Sequence, residues 1–298
     1  MKPARFDYFD PTSLPETLDL LARYGEEGKI LAGGQSLLPL LYLRLAQPRY
    51  LIDINRVAAL SYLRREGDTL VIGALTRQRA VERSPLVQAG WPLVVEAVRQ
   101  VGHSQIRNRG TFGGSVAHAD PAAEIPAVVA ALDGVMRVAS TQGERTLTAD
   151  EFFLTYLTTA LEPTELLVEV RLPSPPARSG WAFLEVSRRH GDFALAGVAC
   201  LLALEPDGRH IAAARLAFTG VGGTPLRARA AEAALIGEVA SPALFARAGE
   251  LAQAAAEPDS DVHASAEYRR HLVGVLTRRG LARAHERALA QLAPADDR

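Results

Sequence analysis

The chain has 298 residues, 48% of them hydrophobic, and a mean hydropathy of +0.03, which suits a packed core in two domains or one large one. Its 33 Lys and Arg against 34 Asp and Glu leave a formal net charge of −1, so no global field draws it to nucleic acid or to an anionic membrane. No run of about 18 apolar residues exists and "MKPARFDYFDP" has no apolar leader, so a cytoplasmic protein without an integral membrane segment is expected.

Ser13 and Glu16 stand three apart before "TLDLLARYG", the spacing of a capping box, and Gly25 is placed for a left-handed stop, so the first element is a helix. "KILA" reads as a strand, "SLLPLLYLRLA" as a helix with Pro39 in its first turn, and "RYLIDI" as a strand. Strand, helix and strand over about thirty residues make a βαβ unit. "LSYLRREGDTLVIGALT" changes to two short strands with Gly67 and Asp68 at the turn. That is a hairpin, and a second subdomain is expected from about Asn55. Helical runs follow at 77–101 and 122–132, and "GVMRVAS" and "TELLVEVRL" return to strand-like composition. The Pro- and Ser-rich "PSPPARSG" at 173–180 reads as a linker and the main domain boundary. "WAFLEVSRR", "LAGVACLLAL" and "IAAARLAFTGV" then read as three strands, joined in part by the turn "EPDG", and alanine-rich helical periodicity fills 228–256 and 264–292. Cys200, the only cysteine, lies in an apolar strand and reads as a buried small hydrophobe. A single thiol closes no internal disulfide and cannot ligate an iron–sulfur cluster, so any redox cofactor here is expected to be organic.

Two stretches carry glycine pairs. In "KILAGGQSLLPLL", residues 29–41, adjacent glycines after a strand let the chain turn tightly and present N–H groups, beside the partial positive charge of a helix start. Phosphate is the natural guest, although an ordinary βα turn would carry the same glycines. The stretch matches neither the Walker A nor the Rossmann pattern. In "RNRGTFGGSVAHADPAAE", residues 107–124, Gly110, Gly113 and Gly114 sit among polar residues with few large apolar side chains, which reads as a binding loop or a polar surface loop. Two such loops could close around one extended ligand. His118 and Asp120 stand two apart on that loop, a spacing that fixes no shared acid–base geometry. Arg188, Arg189 and His190 form a small basic run that reads as a solvated edge.

The pairing of "AGGQS" with "TFGGS" and "AHADPAAE", together with "LRLAQPRYLIDIN", "RRHGDFALAGVA" and "SAEYRRHLVGVL", resembles the flavin-binding medium subunit of the molybdenum hydroxylases. The likeness is to the carbon monoxide dehydrogenase type, in a family that includes the flavin domain of xanthine dehydrogenase and aldehyde oxidase. It extends over nearly the full chain.

The resemblance implies an α+β fold: a two-subdomain FAD-binding fold of the vanillyl-alcohol oxidase (PCMH) type, at 1–55 and 56–174, then a small antiparallel sheet with a helical bundle at 175–298. It implies FAD as cofactor, with Lys29, Ile30, Leu31, Ala32, Gly33, Gly34, Gln35 and Ser36 around the pyrophosphate. Thr111, Phe112, Gly113, Gly114 and Ser115 would form a second loop giving backbone donors. Val101 would be a further cofactor contact, Glu124 would face the ribitol or ribose side and accept hydroxyl hydrogen bonds, Leu167 would contact the adenine, and Phe193 the isoalloxazine. It implies no catalytic residue and no metal site in this chain. Its partners would be a small subunit with two [2Fe–2S] clusters and a large molybdopterin subunit, in a dimer of heterotrimers, with an external acceptor such as quinone, NAD or oxygen.

Three positions depart from the pattern. Gln35 stands where the family often has His, which keeps hydrogen bonding and removes a group that titrates near neutrality. Ser115 replaces a longer Asn or Asp. Phe193 stands where Tyr is frequent, so the ring can stack but has no hydroxyl. Two other readings remain open from the residues: a stand-alone flavin oxidoreductase, and a non-catalytic assembly subunit that has lost FAD. The substrate of the complex is not written in this chain.

Overall fold

The computed structural model describes residues 2–292; positions 1 and 293–298, included in the expected domains, lie outside the described residues. The chain opens with β1 (Asp7–Phe9), α1 (Leu14–Tyr24), β2 (Gly28–Leu31), α2 (Leu37–Tyr42) and β3 (Tyr50–Asp53). The three strands are parallel in the order β1-β3-β2. β2, α2 and β3 are the expected βαβ unit, with β1 as an added edge.

The start of α1 differs in detail from a capping box. Ser13 Oγ accepts the Glu16 N–H at 3.3 Å, but the Glu16 carboxylate takes the Thr12 N–H at 2.8 Å. Gly25 is not left-handed either: its φ and ψ are −52° and −42°. Its glycine is required instead by packing, because a Cβ there would lie 2.2 Å from the Pro163 carbonyl oxygen.

The next strands, β4 (Leu63–Glu66) and β5 (Thr69–Gly73), form the expected antiparallel hairpin. The helical run 77–101 is three helices, α3 (Gln78–Arg83), α4 (Pro85–Gly90) and α5 (Pro92–Gln100), because Pro85 and Pro92 each fit a first turn and not a helix interior. The stretch read as a binding loop is largely helical, with α6 (Ser104–Arg109) and α7 (Phe112–His118), and α8 (Glu124–Ala131) follows. Then come β6 (Val135–Ser140), β7 (Gly143–Thr148), α9 (Ala149–Phe152), β8 (Phe153–Thr155), β9 (Thr158–Thr159) and β10 (Leu166–Pro173). The central sheet is antiparallel throughout, in the order β4-β5-β10-β6-β7.

Glu169, on the middle strand of that sheet, is fully buried and accepts from Tyr62 Oη, from Arg64 and Arg137 through Oε2, and from Arg171 through Oε1. The three guanidinium groups are partly exposed. Removing the carboxylate leaves the cations facing one another and the Tyr62 hydroxyl without its acceptor. Glu169→Ala is therefore expected to cost about 3 kcal/mol of stability, read as a lower denaturant midpoint with unchanged slope.

After the short connection 174–178, β11 (Ser179–Val186), β12 (Ala196–Leu204), β13 (Ile211–Thr219) and β14 (Leu226–Arg227) form an antiparallel sheet in sequence order. The helical stretch 228–256 is divided into α10 (Arg229–Ala233) and α11 (Pro242–Ala255), and α12 (Ala266–Ala290) is the long final helix. Every residue of β12 is buried, and alternate side chains enter different cores, as a two-residue strand period requires. Val198, Cys200 and Leu202 face the core under α12, while Ala199 and Leu201 join the large core that holds Trp91, Phe112 and Val128. Cys200 is wholly buried, with its Cβ 3.4 Å from where a Gly280 side chain would begin, and burial pushes its thiol pKa up. The connection at 174–178 is thus no hinge between separate cores. Among the described residues, no helix is long and apolar enough to cross a membrane.

Candidate functional site

A cavity of about 750 Å³ lies between the first sheet, the helices α6 to α8 and the turn at 191–193. Of the residues expected at the site, Lys29, Ile30, Ala32, Gly33, Gly34, Gln35, Ser36, Val101, Thr111, Gly114, Ser115, Glu124 and Phe193 line it.

The first glycine pair is shaped for close approach. β2 delivers the chain to residues 32–36, where Gly34 has φ +74°, in the left-handed region. A Cβ on Gly33 would lie 2.5 Å from the Arg109 carbonyl oxygen and 2.8 Å from Gly110 Cα, so this glycine lets the two glycine-bearing segments touch. Among the described residues, the N–H groups of Gly33, Gly34, Gln35 and Ser36 find no acceptor in the protein. Such groups in a folded chain are paired as a rule, so a row of four on a cavity wall marks a place for an acceptor-rich ligand. Lys29 supplies a cation on the same cavity.

The second segment works differently from the expectation. The N–H groups of Phe112, Gly113 and Gly114 go to Thr76 O, Ala74 O and Thr111 Oγ1 at 2.9, 3.0 and 3.0 Å, and that of Ser115 to Thr111 O. Its main-chain donors are spent on starting α7, with Thr111 as the N-cap. What this segment offers the cavity is side-chain oxygen from Ser115 and the bare Cα of Gly114.

Four expected residues do not line the cavity. Phe112 is fully buried in the large core, and Gly113 sits on Ala74, whose Cβ would lie 2.6 Å from a side chain there. Leu167 is 3% exposed on β10 and belongs to the same core as Phe112. Leu31 points away from the cavity wall and supports Gly34, its Cδ1 lying 3.1 Å from where a Gly34 side chain would begin. Leu167 faces the large core because β10 alternates its side chains, sending Leu166 and Val168 to the smaller core, while Phe112 opens α7 with its ring packed into the large core.

Glu124 lies at the first position of α8, 4% exposed, and among the described residues no other side chain hydrogen-bonds its carboxyl. Burial first, then the charge of Glu185, raise its pKa to about 8. Glu185, on β11, is pushed up to about 7 by burial, and its Oε2 is buried without a partner. Near neutrality Glu124 is thus largely a neutral acid that can donate, where the resemblance implied an acceptor carboxylate. His118 and Asp120 both line the cavity; burial lowers the His118 pKa against the opposing charge of Asp120, and Asp120 Oδ1 is engaged by the Ala122 N–H. Phe193 is 60% exposed on the cavity rim. Arg188 and Arg189 are exposed, as the basic run suggested, with Arg188 3.2 Å from His263 Nδ1.

Sequence reasoning missed Gln78. It lines the cavity at 5% exposure, and its Oε1 is buried against Gly110 with no hydrogen bond. Nothing local marks it, since its place follows from α3 docking its first residue on Gly110, where the Gln78 N–H bonds Gly110 O at 2.9 Å. Among the described residues no group of three or more His, Cys, Asp or Glu side chains is placed to hold a metal ion.

A cavity with free main-chain donors, one lysine and a neutral acid suits a phosphate-bearing organic cofactor. Residues 4–175 match the family described as the FAD binding domain in molybdopterin dehydrogenase, and residues 181–284 match the CO dehydrogenase flavoprotein C-terminal domain. The chain belongs to this flavoprotein family. It is 43% identical over 288 residues to the 6-hydroxypseudooxynicotine dehydrogenase complex subunit alpha of Paenarthrobacter nicotinovorans, covering 97% of each chain. To the caffeine dehydrogenase subunit beta of Pseudomonas sp. (strain CBB1) it is 44% identical, covering 96% of this chain and 97% of the other. The fold matches a chain of the carbon monoxide dehydrogenase from Hydrogenophaga pseudoflava with a TM-score of 0.94 at 42% identity, over 96% of this chain and 99% of that one. FAD is the cofactor, and the chain is the FAD-binding subunit of a multi-subunit oxidoreductase of the molybdenum hydroxylase class.

Proposed function

We propose that this subunit takes electrons from the [2Fe–2S] clusters of a small partner subunit and passes them through FAD to an external acceptor, a quinone, NAD or oxygen. The observation that carries the reading is the row of four unpaired N–H groups at Gly33–Ser36 on a cavity that also bears Lys29. These groups would hold the pyrophosphate, with Ser115 of the second segment and Gln78 of α3 adding side-chain polarity. When bound, FAD supplies one- and two-electron chemistry, and the chain supplies binding and orientation. Glu124 in its neutral form would donate its O–H inside the site without adding negative charge beside a pyrophosphate. Phe193 would cover the flavin end, shielding it without a hydroxyl contact. Leu31, Phe112, Gly113 and Leu167 would act from behind, as anchors of the two segments.

The one cysteine is wholly buried, and a cluster takes four protein ligands, so in this reading the [2Fe–2S] clusters that reduce the flavin belong to another chain. We place it in a complex with a [2Fe–2S] small subunit and a molybdopterin large subunit, as a dimer of heterotrimers, and divide the chain at 55 and 174.

The test is an absorbance spectrum of the purified chain after incubation with excess FAD and removal of free cofactor. Flavin bands near roughly 370 and 450 nm, as flavins show, retained at about one per chain are expected. Absence of flavin both from the isolated chain and from the co-expressed complex would overturn the reading. Bound flavin is further expected to be reduced by substrate only when the partner subunits are present. Turnover of a small organic substrate by the chain alone would replace the electron relay with a stand-alone oxidoreductase.

A further inference from the structure

The two glycine segments are joined by a chain of side chains that does not itself line the cavity. Asn55, just beyond β3, donates Nδ2–H to the Ala32 carbonyl oxygen at 2.7 Å and to Asp53 Oδ1 at 2.6 Å, while Asp53 Oδ1 also accepts the Asn55 N–H at 2.9 Å. With two acceptors on one side, the orientation of the amide is fixed, and its oxygen must face the other way. There it accepts Arg77 Nη2–H at 2.6 Å, and Arg77 Nη1–H goes on to the Arg109 carbonyl oxygen. Arg77 also pairs with Thr111 as an isolated antiparallel bridge.

We infer that Asn55 and Arg77 are positioning residues for the cofactor, forming one strut that orients the Gly33 N–H and fixes the spacing of the two glycine segments. The inference rests on the FAD reading above. In a planar trans peptide the C=O and N–H point in opposite directions, so tying Ala32 O to Asn55 turns the Gly33 N–H away from Asn55. The next peptide is held in the same way, since Gln35 Nε2–H donates to the Gly33 carbonyl oxygen at 3.1 Å, which directs the Gly34 N–H. The carbonyls of Ala32, Gly33, Gly34 and Ser36 are bound by the protein and the N–H groups of Gly33–Ser36 are left free, which is the polarity a pyrophosphate needs. At the far end, Arg77 holds Arg109 O, the atom against which Gly33 packs most closely. One guanidinium thereby sets the position of the second segment relative to the first. A guanidinium can bridge two acceptors held in a fixed fork, and a lysine ammonium lacks that planar geometry.

The experiment measures FAD affinity of the full chain for wild type, Asn55→Ala, Arg77→Ala, Arg77→Lys and the Asn55→Ala/Arg77→Ala double variant. It is read alongside apoprotein melting and hydrogen exchange of the 29–37 and 111–118 peptides. Each single alanine variant is expected to weaken FAD binding by about tenfold or more, in line with one or two charge-assisted hydrogen bonds. The double variant is expected to bind no worse than the weaker single one, because the strut acts as a unit, and Arg77→Lys is expected to recover part of the loss. At saturating FAD, protection of the 29–37 peptide is expected in wild type and lost in Asn55→Ala, with the 111–118 peptide still protected. A general loss of packing would expose both peptides together. If Arg77→Ala does not fold, Arg77→Lys and Asn55→Ala carry the same comparison. Wild type that binds FAD with variants within threefold of it would overturn the strut alone, as would additive losses in the double variant. Wild type that retains no FAD, alone or in its complex, would overturn the cofactor reading itself.

Discussion

Gly33→Val is expected to abolish FAD retention by an otherwise folded chain, lowering affinity by about a hundredfold or more. The smallest side chain at this position begins 2.5 Å from Arg109 O and 2.8 Å from Gly110 Cα. Both neighbours are main chain, so no rotamer change relieves the contact. The two glycine segments must move apart, and overpacking of this kind costs about 1–3 kcal/mol, which separation of the cavity walls would pass on to the bound state. A branched residue needs more room still, which places valine at the upper end. The check is equilibrium dialysis with FAD, with Gly90→Ala as control. Gly90 lies in α4 with open space around it, so alanine there is expected to leave FAD affinity unchanged and to stabilise slightly through helix propensity. A Gly33→Val chain that binds FAD like wild type would show that the two segments do not jointly hold the cofactor.

The second large effect is on stability against pH. Glu124 and Glu185 titrate at about 8 and about 7 in the folded chain, against about 4.3 for an unfolded glutamate. Both folded values are raised, so the folded state holds more protons than the unfolded one over the interval between. The stability this represents is complete below about pH 4 and is lost as pH rises through the folded values. Because the two carboxyls sense each other, the titration belongs to the pair. The apoprotein is expected to lose on the order of 3–5 kcal/mol between pH 5 and pH 9, read by urea unfolding across that range. Glu124→Gln keeps a neutral, hydrogen-bonding side chain and removes the charge, so it should flatten most of the slope and be more stable than wild type at pH 8.5. FAD affinity should follow the same sign, weakening above about pH 8 in wild type and much less in Glu124→Gln. A flat stability profile in wild type would mean that Glu124 is solvated and ionised, and would return it to the acceptor role that the resemblance implied.

Much of this molecule is legible in residue types alone. The pair Gly33–Gly34 announces a segment with bare backbone, Gly67 and Asp68 announce the hairpin between β4 and β5, and Ser13 announces the start of α1. Pro85 and Pro92 also announce breaks, inside the helical periodicity of 77–101. These features are local: the requirement for φ above zero, a missing N–H or a capping hydroxyl is satisfied or violated within a few residues, so the sequence carries it.

What the tertiary structure decided is which groups face which. "TFGGS" reads as a ligand loop, yet Phe112 and Gly113 anchor α7 against β5, and their N–H groups are consumed at Thr76 and Ala74. Glu124 ends a polar stretch, and becomes a neutral acid only because α8 is buried and Glu185 arrives from β11, 61 residues later in the chain. Asn55, Arg77 and Gln78 carry no motif and take their places because β3, α3 and the end of α6 converge on the first glycine pair. Hydrogen-bond partners and dielectric surroundings are properties of the space between elements, set by packing of the whole core. A sequence determines them without displaying them, whereas the backbone needs of a glycine or a proline are displayed at the residue itself.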